Sequence, residues 1–405
     1  MTASNEFIKK SNIFPLAIFF IFFISYFFTI KNYEISLTKY VLIENLINYE
    51  GGFVRRGFLG NIIYYLNLIT DLDPKNIISS IFLVAYSILF ILFYKISKKL
   101  WIYNAPLYIF IVLNPSTLSF PLFDFNALFR KEVFFYIVYF YHILIAQRAL
   151  SGFLSIENYK RQNLYFIIPA LFINMFIHEL QFFLIPFHIL INIAVLKNKI
   201  SKRFLYNYLI FLFLFFLFTF PADIETVKLI NISLEKFLPN ISNEYTAVTI
   251  LSGNINLQLG QTLWFLSNSN LSHFVQIILV ILFTIPLFTY LFIRKLFNFL
   301  IKNEFYKKLI FYFNLYLYLL LGLLIILSFD TGRLLNILIF HLIGFYLIFS
   351  FKNYTPSIKS YFKKIILKIF IVIFVIFFYL PSGPIFAGKG TIFEKINNSI
   401  FILFK

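Results

Sequence analysis

Apolar runs of about 20 residues recur along this chain, each long enough to cross the hydrocarbon layer of a bilayer. Lipid offers no hydrogen-bond partner to a backbone N–H or C=O, and the runs lack the alternation of barrel strands, so they must cross as helices. Only 13% of residues are charged and 60% are hydrophobic, against roughly 25% charged in a soluble domain. The abundant aromatics, 60 Phe and 27 Tyr, read as lipid-facing bulk. Eleven runs can be placed, at about 13–30, 77–94, 104–119, 131–147, 164–178, 180–196, 204–221, 273–293, 309–328, 332–351 and 365–380. The expected fold is therefore all-α: a polytopic transmembrane helix bundle of about 11 spans, one integral-membrane domain over 1–405. The first run follows Lys9 and Lys10 without a small-x-small cleavage site, as in an uncleaved signal anchor.

Charge placement orients the bundle. With the N-terminus inside, twenty-two of the 35 lysines and arginines fall on inner connections, and all acids except Glu6, Glu157 and Glu304 fall outside. The Lys/Arg excess marks the cytoplasmic side, so the expected arrangement is N-terminus inside and C-terminus outside, in an inner (plasma) membrane. Two outer connections are long. Residues 31–76 include the amphipathic stretch Gly57–Leu72 (GFLGNIIYYLNLITDL), suited to lying along the interface. Residues 222–272 are polar and rich in Asn and Ser. The inner loops are short and basic, with no room for a soluble catalytic domain.

Several chemistries are excluded. Zero Cys rules out disulfides, thiolate metal sites and Cys nucleophiles. There is no P-loop, no Gly-x-Ser-x-Gly elbow, no Rossmann fingerprint and no metal-ligand spacing. No cofactor is expected. The net charge of +18 belongs to membrane anchoring, so nucleic acid is not an expected partner.

Four clusters of Arg, acid and Gly remain, all assigned to the outer face. Around Tyr49–Gly57 stand Glu50, Gly51, Gly52, Arg55 and Arg56. Paired glycines permit a tight turn or a close approach, and two arginines could grip a diphosphate through their planar forks. The same residues also suit lipid headgroups and a simple turn. Asp124, Arg130, Lys131 and Glu132 open the fourth run; they could bind substrate or anchor the helix, although an outer end is the wrong side for basic anchors. His178-Glu179 interrupts the apolar stretch 164–196, which as a single helix would be too long for a bilayer; a tight hairpin or two short helices is expected. A carboxylate near lipid depth is functional by default, and His178 or Glu179 could relay or abstract a proton. Asp330 and Arg333 flank a short turn that could be only a turn or one wall of a polar pocket. His142, His188 and His341 within runs and His273 at an edge read as hydrogen-bonded packing residues, with a proton path as the other use.

An external pocket of arginines and carboxylates without a nucleotide motif suits a polyprenyl-diphosphate-linked saccharide. Arg55, Arg56, Arg130 and Arg333 would hold diphosphate or sugar, with Asp124 and Asp330 orienting them. Glu50, His178 and Glu179 are the candidate bases for deprotonating an incoming sugar hydroxyl. Expected partners are the lipid-linked oligosaccharide, membrane lipids and other polysaccharide-assembly proteins. The competing class is a transporter or flippase for a lipid-linked saccharide or small solute.

On these residues the chain resembles two groups. One is the bacterial O-antigen and exopolysaccharide polymerases, which share many spans, outer-loop arginines and one long external loop. The other is the C-type polyprenyl-phosphate-sugar glycosyltransferases, whose essential acid stands in the first external loop, where Glu50 precedes Arg55 and Arg56 here. That loop lacks the Asp-Asp or Glu-x-Asp pair of the C-type pattern. The resemblance implies a membrane glycosyltransferase or polymerase in cell-surface polysaccharide assembly, working without a nucleotide cofactor.

Overall fold

The computed structural model describes residues 2–33, 39–103, 128–196, 206–237, 248–253 and 331–348, with a few single residues between them. Every regular element among the described residues is helical. The chain forms two compact units, Met1–Ile96 with Leu128–Leu257, and Ser97–Ala127 with Gln258–Lys405.

In the first unit, helix α1 (Thr2–Tyr33) precedes the short α2 (Lys39–Leu46), α3 (Gly57–Thr70) and the long α4 (Pro74–Tyr103), whose residues from Ser97 on are assigned to the second unit. Helix α5 (Glu132–Leu150) follows, then α6 (Ile156–Gln162). Ser155 caps α6 by accepting from the Asn158 N–H at 3.2 Å. The helix then widens into one π turn, Asn163–Ile167, before α7 (Ile168–Ile177). Pro169 in the first turn of α7 has no N–H to give, and the wide turn absorbs the missing bond. The expected break falls at His178, whose backbone is extended (φ −164°, ψ 129°). A 3-10 segment, Glu179–Leu184, leads into α8 (Ile185–Leu196), where Pro186 again marks the change of pitch. Helices α9 (Ile210–Thr219), α10 (Ile224–Glu235) and α11 (Thr249–Ser252) complete the described part of this unit. In the second unit the described helix is α12 (Thr331–Leu347).

Among the described residues, three segments are long and apolar enough to cross a membrane: Pro74–Trp101, Glu132–Leu150 and Glu179–Leu196. Shorter apolar helices cover Pro15–Lys31 and Asn336–Leu347. This makes the chain a membrane protein by length and composition. The expected runs at 273–293, 309–328 and 365–380, and nearly all of 104–119, lie outside the described residues.

Aromatic side chains do more than face lipid. Phe19 of α1 meets Phe93 of α4 at 5.9 Å, Tyr26 meets Tyr86 at 4.6 Å, and Phe93 meets Phe140 of α5 at 5.2 Å. Phe82, Phe93, Phe135 and Phe140 are fully buried. Helices gain no hydrophobic drive toward each other in lipid, so close van der Waals packing of this kind holds them. The polar loop 222–272 also contains more order than its composition suggested. Asp223 caps α10 through the Thr226 N–H at 2.6 Å, and α10 turns Val227, Ile230 and Leu234 inward.

From Val41 of α2 onward the chain is enclosed: residues 41–48, VLIENLIN, are all buried, whereas Tyr40 at the start of the helix is exposed. Gly60 of α3 lies so close to the Ile47 carbonyl that a Cβ there would collide with it. This is a packing role for glycine, and it brings the start of α3 against the end of α2.

Candidate functional site

The loop from Asn48 to Arg56 is shaped by its glycines and by α10. Gly52 has φ +117°, which completes the turn begun at Tyr49. Gly51 packs against the Thr226 carbonyl, so its close approach is to protein backbone and not to a ligand. Asn48 donates to Ser233 Oγ at 2.9 Å, fastening the loop to α10 a second time.

Arg56 ends this loop in the left-handed region, φ 68° and ψ 4°. Such a conformation costs a non-glycine residue about 1–2 kcal/mol, and strain of this kind clusters at functional positions. The Arg56 carbonyl accepts from Lys131 Nζ at 2.9 Å. Its guanidinium grips Glu179 bidentately, with Nε 2.9 Å from Oε2 and Nη2 2.5 Å from Oε1. Arg55 Nη1 lies 3.8 Å from Glu179 Oε1, and Arg56 Nη1 lies 3.9 Å from Glu44 Oε1. Glu44 is paired in turn with Arg130, whose guanidinium also stands 5.5 Å from the Tyr40 ring centroid. Asn45, next to Glu44, donates to the Phe129 carbonyl at 2.9 Å and ties α2 to the approach to α5.

Four cations, Arg55, Arg56, Arg130 and Lys131, therefore meet around Glu44 and Glu179, with Glu132 acting electrostatically on Lys131. Exposure grades the two paired acids. The Glu179 side chain is 15% exposed and that of Glu44 only 4%, while Arg55 and Arg56 stand at 13% and 16%. The open side of the cluster is the Arg55–Arg56–Glu179 side.

Burial pulls the Arg56 guanidinium down, but Glu179 and Glu44 outweigh it and hold the group well above its usual value. Arg55, with weaker pairing, is lowered by burial. Burial also brings the Lys131 ammonium down to about 8, with Glu44 opposing and Arg56 adding to the fall.

The sequence candidates divide as follows. Arg55, Arg56, Arg130, His178 and Glu179 come together. Glu50 is exposed on its turn and enters no ion pair among the described residues. Asp124 and Asp330 lie outside the described residues; Arg333 falls in the first turn of α12, in the second unit, with its side chain outside the description. His178 Nδ1 accepts from the Leu180 N–H at 3.1 Å and lies 3.3 Å from Glu179 Oε2. Its Nδ1 lone pair is therefore engaged in holding the 3-10 turn. Both Glu179 oxygens face Arg56, so the carboxylate as it stands secures the arginine.

Sequence reading missed Glu44. The signal was an acid flanked by apolar residues in the run VLIENLIN, which resists exposure on either side. Among the described residues, no group of three or more His, Asp or Glu side chains is arranged to hold a metal ion. No family model, curated protein or solved structure matches the chain.

Proposed function

We propose that this chain is a membrane glycosyltransferase or polysaccharide polymerase acting on a polyprenyl-diphosphate-linked saccharide, at the outer face of an inner (plasma) membrane. One observation carries the reading. Arg55, Arg56, Arg130 and Lys131, from two segments over 70 residues apart, crowd around the two carboxylates Glu44, within α2, and Glu179, at the start of an apolar segment. Guanidinium forks match phosphate oxygens bidentately, and a cluster rich in cations would stabilise a lipid diphosphate as it leaves. The amphipathic α3 begins immediately after Arg56. It exposes Ile62, Tyr65, Leu66 and Ile69 at helical spacing, a face suited to the headgroup boundary and to a prenyl tail. The site residues are Arg55, Arg56 and Arg130 of the first unit; the base is drawn from Glu50, His178 and Glu179.

The test is genetic and chemical together. Deleting the gene in its native host should cause a lipid-linked oligosaccharide to accumulate, and Arg56→Ala should fail to restore normal polymer although the protein reaches the membrane. Normal polymer ladders in the deletion strain would overturn the reading.

One observation favours a second reading, proton-coupled transport or flipping. His142 Nδ1 lies 2.9 Å from His188 Nδ1, deep among α5 and α8, where ionisable groups commonly mark a proton path. Proteoliposomes that take up protons with solute after a pH jump would decide for transport.

A further inference from the structure

The charged cluster contains two anions that differ in kind. Glu44 is buried, held from one side by Arg130 and from the other by Arg56, within the fully buried stretch 41–48. Glu179 is the outermost anion. It occupies the fork of Arg56 and the flank of Arg55, and it follows the extended residue His178 at the junction of two helical segments. The two oxygens of a carboxylate in a guanidinium fork sit where two oxygens of a phosphate would sit. Rotation of one side chain would vacate that position without disturbing the Glu44–Arg130 pair.

Resting on the function proposed above, we infer that Glu179 is an internal stand-in for the substrate's phosphate, displaced from Arg56 and Arg55 when the lipid diphosphate binds. While Glu179 fills the fork, the four cations face three carboxylates: Glu44, Glu132 and Glu179. Once it has left, they face two, and the added surplus falls where a diphosphate is most negative. Displacement also creates the base. Freed from two guanidinium groups, the carboxylate accepts the proton of the acceptor sugar's hydroxyl. That oxygen bonds to the anomeric carbon, and the bond from this carbon to the diphosphate oxygen breaks. The electron pair leaves with the lipid diphosphate, held by Arg55 and Arg56, and the proton on Glu179 passes to water as the carboxylate returns to its fork. Base strength thus appears only when donor is present, which guards the lipid-linked sugar against idle hydrolysis.

The test uses the full chain in lipid nanodiscs, with inorganic pyrophosphate and geranyl diphosphate as binding probes and lipid-linked saccharide as the transfer substrate. In Glu179→Gln the competitor loses its charge. Both diphosphates should bind about tenfold tighter, roughly 1.4 kcal/mol, while transfer falls by a factor of about 100 or more. Glu179→Asp, one methylene shorter, should show the same split in milder form: lower KM for the lipid donor and lower kcat. Opposite movements of affinity and turnover cannot come from partial unfolding. Unchanged or weaker diphosphate binding in both variants overturns the stand-in role, even if wild type binds and Arg56→Ala does not; in that case the proposed function stands. If the wild-type protein binds neither diphosphate, the functional reading falls with it.

Discussion

The first unit contains two polar regions built largely on the same helices, and they follow opposite rules. One is the Arg–Glu cluster at the beginning of α5 and the His178 break. The other lies about ten residues further along α5, roughly 15 Å at 1.5 Å per residue, where His142, Tyr159, Asn163, His188, Asn192 and Tyr208 form a closed neutral web. Asn192 Oδ1 accepts from Tyr159 Oη and Asn163 Nδ2, both at 2.8 Å; Asn192 Nδ2 donates to Tyr208 Oη at 2.7 Å; and Tyr208 Oη donates to Asn163 Oδ1 at 3.0 Å. Asn163 Nδ2 also donates to His142 Nε2 at 2.8 Å, which leaves the ring proton on Nδ1 to donate to His188 at 2.9 Å. The two imidazoles stack, 16° from parallel. All six side chains are buried. In the web the hydrogen bonds join neutral groups and no charge is left over; in the cluster, cations outnumber acids and the edge is open. A closed neutral web fastens helices, whereas an unequal, partly open one can exchange a partner for a ligand.

The sharpest way to break this contrast is Asn192→Leu. It strips Tyr159 and Asn163 of an acceptor and Tyr208 of a donor in a buried setting, so a loss of about 3 kcal/mol or more is expected. Thermal unfolding in detergent should show it, and the fraction that remains folded should bind pyrophosphate normally; weakened binding in that fraction would mean that the web serves the site. Next in size is Arg56→Ala. A hydrogen bond to a charged group is worth about 1.5–3 kcal/mol, so calorimetry should show pyrophosphate affinity falling by about 10- to 100-fold, with the web and the helical content intact.

A smaller effect separates strain from contact. Arg56→Gly and Arg56→Ala lose the same ion pairs, but only glycine takes φ 68° without penalty. The glycine variant should be more stable than the alanine variant by about 1 kcal/mol. Equal thermal midpoints would show that the left-handed backbone stores no strain.

The smallest effect is with pH. Lys131 faces the Arg56 carbonyl and feels Glu44, Arg56, Glu179 and Glu132. Its folded-state value of about 8 lies below the ordinary 10.5, so its charge is lost as pH rises through about 8. Pyrophosphate affinity should fall a few-fold between pH 7 and pH 9, and Lys131→Arg should flatten that dependence. Between about 8 and 10.5 the unfolded chain binds more protons than the folded one, so stability should rise with pH across that window.

Much of this was visible in the sequence because bilayer physics leaves few choices. Run lengths announced helices, and the acid at 179 inside an apolar stretch announced the break. The helix over Gly57–Thr70 followed from the periodicity of its apolar residues. Convergence was harder to read. Arg56 and Glu179 are 123 residues apart, and nothing local in either segment names the other. Glu44 was overlooked because an eight-residue helix has too few turns to show a face, and Glu50 was favoured as the acid of the first outer loop just before Arg55 and Arg56, although turn geometry leaves it exposed. The histidines were read singly as packing residues; their joint web depends on contacts with Tyr159, Asn163 and Asn192 that spacing alone cannot supply.

The burial of residues 41–48 has an evolutionary consequence. A surface helix can drift on its outward side, but residues 41–48 have no outward side, and interiors tolerate little change in volume. Across divergent homologues that conserve the Arg–Glu chemistry, the pattern VLIENLIN should change more slowly than the loops around it, making this octapeptide the most durable signature of the lineage.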